Sequence, residues 1–330
     1  MKGLDYFASP SSGAALLDYY GLCAQPFGVT PDPRYLYLSS THRRVLGALA
    51  YGIESARGFL ALTAEPGLGK TTLLFLLLTR LERSHRTAFL FQAPRDPREF
   101  LLYLRADLGI EAEDQELTAI EHRVREAVVV GARAGRRLVV VIDEAHILQS
   151  PVFETVVRLS DFEAPLSGSL QVVVAGQSDL ADKLAQPAFA GFRQHVSVLA
   201  RLDPLTAAES GRYIDHRLRM AGHSSDGLFS SDARDLIVGW SEGIPRKINT
   251  LCFNALLRGY ARKKESIDSW IVKDAIADLD WIDFGAGPPS SPRSQSMGLV
   301  AGCEPGPERA AERSVGQPPT GRCVSPQSQP

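Results

Sequence analysis

Phe59-Leu-Ala-Leu-Thr63, Ala64-Glu65-Pro66-Gly67-Leu68-Gly69-Lys70-Thr71-Thr72, then Leu73-Leu-Phe-Leu-Leu-Leu78 is the stretch that decides the fold. The first run is short, apolar and β-prone. The last run is apolar and free of Gly and Pro, as a buried helix requires. Between them, Gly67 and Gly69 can adopt backbone angles closed to other residues, so successive N–H groups can turn inward around an anion. Lysine follows at the point where the helix begins, and a helix N-terminus adds partial positive charge. Strand, glycine loop, Lys-Thr and helix in this order describe a phosphate-binding loop.

On this reading Glu65 to Thr72 wrap a nucleotide triphosphate, Lys70 reaches its β- and γ-phosphates, and Thr71 offers its hydroxyl to Mg²⁺. Ala64 stands where a glycine is usual, which is tolerable only with φ below zero. A second run, Leu138-Val-Val-Val-Ile-Asp143-Glu144-Ala145-His146, carries two carboxylates at the end of an apolar strand. Such a pair is costly there unless it serves a metal or a base. Asp143 is the expected Mg²⁺ ligand. Glu144 is the expected group that orients or activates water, acting from a strand adjoining the loop. His146 either joins the γ-phosphate network or caps the next turn. The two runs are Walker A and Walker B motifs, and ATP with Mg²⁺ is the ligand they imply.

Strand-like runs recur at Phe59–Thr63, Thr87–Phe91, Leu138–Ile142, Leu170–Ala175 and Val196–Ala200. Helical patterns lie between them, at Lys70–Glu82, Pro97–Leu108 and Leu117–Ala134. Short apolar strands alternating with helices predict an α/β fold, a parallel sheet covered on both faces. A helix over 41–57 precedes it. After Pro204 only helices follow: Thr206–Ala221, Ser231–Glu242, Pro245–Lys264 and Ser269–Asp280, with Ser230 and Asp268 as N-caps. The expected division is an N-terminal extension and extended linker (1–40, with 1–16 loose), a nucleotide-binding domain (41–203), a helical lid (204–283) and a disordered tail (284–330).

Two sensor positions, one at a strand end beside the loop and one on the lid, complete the candidate site. Gln177 follows the strand Leu170–Ala175 and is placed to sense the γ-phosphate. Arg246, after Pro245 in a first helical turn, is placed to supply charge in the transition state. The DEAH string Asp143–His146 also occurs in two-lobed helicases, but a small helical domain after Pro204 leaves no room for a second lobe. The chain has 330 residues, 44% hydrophobic, with net charge -2. That balance argues against a protein held on nucleic acid by bulk charge. The four cysteines show no zinc spacing and read as free thiols. The start, Met1–Gly13, lacks a signal-peptide pattern, and Leu73–Leu78 is too short to span a bilayer.

The linker strings Tyr20-Gly-Leu, Pro26-Phe27, Thr30-Pro-Asp-Pro33 and Leu36-Tyr-Leu-Ser39 resemble those of the ExeA, or general secretion pathway A, group of AAA+ ATPases. So do Tyr51-Gly-Ile53, the lid string Tyr213–Leu218 and Gly243-Ile-Pro-Arg-Lys-Ile-Asn249-Thr-Leu-Cys252. The resemblance covers about residues 17–282. It implies an oligomeric ATPase assisting assembly of secretion, pilus or exopolysaccharide machinery. Such a chain would be cytoplasmic or peripheral at the inner membrane, without inserting into it. It further implies that Phe27, Pro31 and Tyr35 approach the adenine. Where the group carries a finger arginine for the neighbouring subunit, this chain has His195, with Arg193 or Arg201 as substitutes. A DNA-transposition helper or replication-initiator relative is the second reading, with Arg133, Arg136, Arg137, Arg258, Arg262, Lys263 and Lys264 as basic patches. An ATP-dependent binding switch with little turnover is the third.

Overall fold

The computed structural model describes residues 12–111, 116–161, 168–223 and 227–283. The tail expected to be disordered, 284–330, lies outside the described residues, as do 1–11. Five strands form one parallel sheet: β1 (Phe59–Ala64), β2 (His85–Leu90), β3 (Arg137–Ile142), β4 (Leu170–Gly176) and β5 (Val196–Leu202), in the order β2-β3-β4-β1-β5. Every residue of β1 and β4 is buried, as in a sheet covered on both faces.

The period-two alternation of the strands sorts the core into two layers. Phe59, Ala61, Leu138, Val140, Ile142, Val172 and Val174 face one side. There they meet α4 (Pro97–Asp107), α5 (Leu117–Arg133), α6 (Ser150–Asp161), α7 (Asp179–Ala185) and α8 (Ala190–Arg193). Leu60, Leu62, Val139, Val141, Val173 and Ala175 face the other, beneath α2 (Ser40–Glu54) and α3 (Lys70–Leu81). The fold is the expected three-layer α/β/α P-loop arrangement. The structure corrects one detail. β3 does not adjoin β1; β4 lies between them. The chain leaves β1 and, as α3, crosses β4 and β3 to reach β2 on the far edge.

A third cluster gathers the helices after Leu205: α9 (Ala207–Met220), α10 (Ser231–Ser241), α11 (Pro245–Ala261) and α12 (Ser269–Asp283). Ser230 caps α10 by accepting from Ala233 N–H, and Asp268 caps α12 by accepting from Ile271 N–H, as expected. The N-terminal expectation fails in part. Residues Ser12–Tyr19 are a helix, α1, where a loose start and an extended linker were expected. Leu16, Tyr20, Leu22 and Phe27 are buried in the lid core, and the Tyr20 hydroxyl donates to Leu256 O at 3.1 Å. Eight residues form a marginal helix alone. Burial against α11, with Gly259 leaving room for the Tyr20 ring, supplies what propensity lacks.

Two contacts fix the chain where it passes from the sheet into the lid. Leu205 N–H donates to Gly243 O at 2.9 Å. Gly243 has φ +75°, and a Cβ there would lie 2.1 Å from Leu205 O. Gly243→Ala therefore loses about 2 kcal/mol from the left-handed backbone and the clash together. A thermal melt reads this as a fall of about 4–8 °C. The second contact is Glu209. It closes a capping box with Thr206 at the start of α9, and its Oε1 accepts from Ser40 N–H and Ser40 Oγ, both at 2.9 Å. These hydrogen bonds, led by the Ser40 N–H, hold its carboxyl down at about 2 against an ordinary 4.5. A depressed folded-state value contributes stability above pH 4.5 that is lost as pH falls towards 2. Glu209→Gln should flatten that part of the acid-unfolding curve by about 1–2 kcal/mol, measured by urea midpoints across the window.

Candidate functional site

The loop after β1 folds as its glycines demand. Ala64 closes the strand and is not among the residues with positive φ, the condition its presence required. Gly67 and Gly69 have φ +86° and +91°. Gly69 is the N-cap of α3, so Lys70 opens the helix and Thr71 follows one residue on.

The residues expected to act together do meet. Lys70 Nζ lies 3.0 Å from Asp143 Oδ1 and 2.9 Å from Glu144 Oε1, and only 8% of the lysine is exposed. Thr71 Oγ1 donates to Asp143 Oδ2 at 2.7 Å, which joins the two expected Mg²⁺ ligands. Glu144 stands at φ 53°, ψ 31°, a left-handed conformation unusual for glutamate, at the start of a single 3₁₀ turn, Ala145–Ile147. Local strain of this kind concentrates at functional positions. His146 Nδ1 lies 3.4 Å from Glu144 Oε2, which brings it to the carboxylate as well as into the turn. One lysine between two carboxylates leaves the cluster with net negative charge. It suits a divalent cation, which would offset that charge.

A cleft of about 220 Å³ runs from this cluster to the lid. Ala64–Thr72, Glu144, Gln177 and Arg246 border one end. Gly28–Asp32, Tyr35, Tyr213, Arg217 and Asn249 border the other. Gln177 follows β4, the strand between the two motifs, while its neighbour Ser178 donates to Glu65 Oε1. Arg246 N–H donates to Gly67 O at 3.2 Å, so α11 begins directly on the loop. A Cβ at Gly67 would stand 2.7 Å from that of Arg246.

At the far end lie two of the three linker residues expected near an adenine. Pro31 and Tyr35 border the cleft, but Phe27 does not. Phe27 is buried in the lid core edge-on to Phe229, because a large apolar ring gains more from that core than from a cleft. Sequence reasoning missed what holds the linker. Gly28 O accepts from Arg217 Nη2 at 3.1 Å and from Asn249 Nδ2 at 3.2 Å. The Arg217 guanidinium also lies 4.6 Å from the Tyr35 ring centroid, a cation–π contact. Arg217 and Asn249 both lie within the quoted lid strings, and those strings were the signal available.

The basic patches of the second reading are largely engaged within the chain. Arg258 pairs with Asp274 and Asp278, and Arg262 with Asp274 while lying over Trp270. Arg136 donates to Glu82 O and His85 O, and Arg137 to Glu54 O. Of the finger candidates, Arg193 donates to Leu184 O and Ala185 O. Arg201 has a side chain 72% exposed, with Asp203 at 3.5 Å. His195 lies against Phe59.

Comparison with known proteins agrees with this fold. The AAA domain family model matches residues 53–184. General secretion pathway protein A of Aeromonas hydrophila is 32% identical over 250 residues, 76% of this chain. The chain spans 46%, about half, of that relative's length. Among solved structures, the Aeropyrum pernix ORC2 protein in its ADP form superposes with a TM-score of 0.62 at 14% identity, over 77% of this chain and 72% of that one. Cdc6p from Pyrobaculum aerophilum gives 0.60 at 15%, over 79% and 74%. At such identities the likeness speaks for the fold alone. The chain has the P-loop fold with an AAA domain over residues 53–184, and is similar, over three quarters of its length, to general secretion pathway protein A.

Proposed function

We propose that this protein binds and hydrolyses Mg·ATP, and that the cycle drives or switches assembly of a cell-envelope secretion, pilus or exopolysaccharide system. The observation that carries the enzymatic part is that Lys70 meets Asp143 and Glu144 at 3.0 and 2.9 Å, and Thr71 meets Asp143 at 2.7 Å, at the mouth of a glycine loop. Thr71 and Asp143 would hold the magnesium ion, which when bound neutralises phosphate charge. Glu65 to Thr72 enclose the phosphates, and Lys70 exchanges its carboxylate partners for them. Glu144 accepts the proton of the attacking water. Gln177 and Arg246 face the terminal phosphate from β4 and from the lid. Because Arg246 rides on the lid (204–283) and its backbone touches Gly67, hydrolysis and lid movement relative to the 41–203 domain are one event.

The envelope role rests on the similarity to general secretion pathway protein A. Among the described residues no helix is long and apolar enough to cross a membrane. That fits a cytoplasmic chain, peripheral to the inner membrane, whose partner is an envelope-assembly protein. The DNA reading has less support, because four of its arginines are already engaged within the fold.

We place catalysis at the interface of a homo-oligomer, with Arg201 as the arginine offered to the neighbour. Phosphate release per subunit should then rise with protein concentration. Arg201→Ala should lower the plateau about tenfold and leave Mg·ATP affinity unchanged. A specific rate near zero at every concentration would leave only the binding-switch reading, and a substantial rate flat in concentration would overturn the placement of catalysis at an assembling interface.

A further inference from the structure

His42 plays no part in the chemistry above, yet it is 3% exposed, borders the cleft and touches the loop. It sits in the first turn of α2. Its Nε2 lies 3.2 Å from Leu68 O, and its Nδ1 lies 2.7 Å from Ser39 Oγ. The Leu68 carbonyl can only accept, so Nε2 carries the proton. In the neutral ring Nδ1 then accepts from the Ser39 hydroxyl. That hydroxyl oxygen in turn accepts from His42 N–H at 3.3 Å as the cap of α2. Burial favours the neutral ring.

The consequence lies in the next peptide. Across a planar trans bond the C=O and the following N–H point in opposite directions. A Leu68 carbonyl held outward on His42 therefore turns Gly69 N–H to the other side. A Cβ at Gly69 would meet His42 Nε2 at 3.5 Å, which places the ring against the loop at this residue. We propose that His42 is a positioning residue of the phosphate loop, holding Leu68 O so that Gly69 N–H faces the polyphosphate of a bound nucleotide. The proposal rests on the nucleotide reading above. The ring is well anchored for this task, since Ser39 caps its helix and Glu209 of the lid holds the neighbouring Ser40 N–H.

The test separates a hydrogen-bond donor in the right place from a mere filler of space. Glutamine presents an amide N–H near the Nε2 position; asparagine, one methylene shorter, presents it near Nδ1 and falls short of Leu68. Mg·ATP and Mg·ADP are titrated calorimetrically into the full chain and into the His42→Gln and His42→Asn variants. The Gln variant should bind both nucleotides within about threefold of wild type, and the Asn variant about tenfold more weakly. Equal affinities in the two variants, or a Gln variant as weak as Asn, overturn the role of His42. Wild type binding neither nucleotide would instead overturn the nucleotide reading itself. Should His42→Asn not fold, Ser39→Ala takes its place. It leaves the ring without its Nδ1 partner, and a loss of about threefold or more beside an intact Gln variant supports the proposal. Ser39→Ala at wild-type affinity overturns it.

Discussion

Lys70→Ala binds Mg·ATP at least ~100-fold more weakly than wild type, a calorimetric trace near the baseline at micromolar protein. Two effects add. The variant loses the cation that would meet the β- and γ-phosphates. It also leaves Asp143, 3% exposed, and Glu144 without the charge that now lies 3.0 and 2.9 Å from them. An incoming triphosphate then meets two uncompensated carboxylates. The same uncompensated charge should lower the melting temperature of the free protein, since removing one member of a buried ion pair is costly. These contributions separate in the double variant Lys70→Ala, Asp143→Asn. Stability should recover there, because the buried negative charge is gone. Nucleotide binding should not, because the phosphate partner is still missing. A single variant that binds like wild type would remove Lys70 from the site and with it the proposed function.

How much of this could be read from the chain follows the distance over which each element is encoded. The loop Ala64–Thr72 is local: strand, glycines, lysine and helix start are consecutive, and every residue falls where the pattern puts it. The strand ending at Asp143 is local too. That its carboxylates meet Lys70 is a long-range fact, but one the paired motifs carry. The order of the strands was not carried. Nothing in the spacing between Lys70 and Asp143 says that β4 inserts between β1 and β3, although this insertion is what brings Gln177 between the motifs. The linker was misread for a physical reason. Gly21, Pro26, Gly28, Pro31 and Pro33 announce an irregular chain, and the chain is irregular there. Its fixed course comes from Tyr20, Phe27, Arg217 and Asn249, whose contacts join residues some 190 to 240 positions apart. His42 belongs to the same class, a buried ring on α2 whose partner Leu68 lies 26 residues on. Helix periodicity marks it only as inward-facing.

Glu144→Gln should separate binding from chemistry. Glutamine keeps the length of the side chain and an oxygen for Lys70 Nζ, so Mg·ATP affinity should stay within about threefold of wild type. What it cannot do is take a proton from water, and phosphate release should fall ~100-fold or more. The geometry adds a reason why this carboxylate is the base and Asp143 is not. Asp143 is deeply buried and committed to Thr71 Oγ1 and to Glu144 N–H as well as to Lys70. Glu144 has a side chain 40% exposed, projects from a left-handed backbone into the cleft, and is engaged by Lys70 and His146. A triphosphate that draws Lys70 away frees Glu144 at the moment its substrate is in place. With no terminal phosphate to compete, the lysine stays closed on the carboxylate and suppresses it as a base. Asp143→Asn should therefore weaken magnesium-dependent binding, whereas Glu144→Gln should leave binding intact and stop turnover. Quenched-flow phosphate release beside calorimetry on both variants checks the division. Equal turnover in wild type and Glu144→Gln would move the base elsewhere.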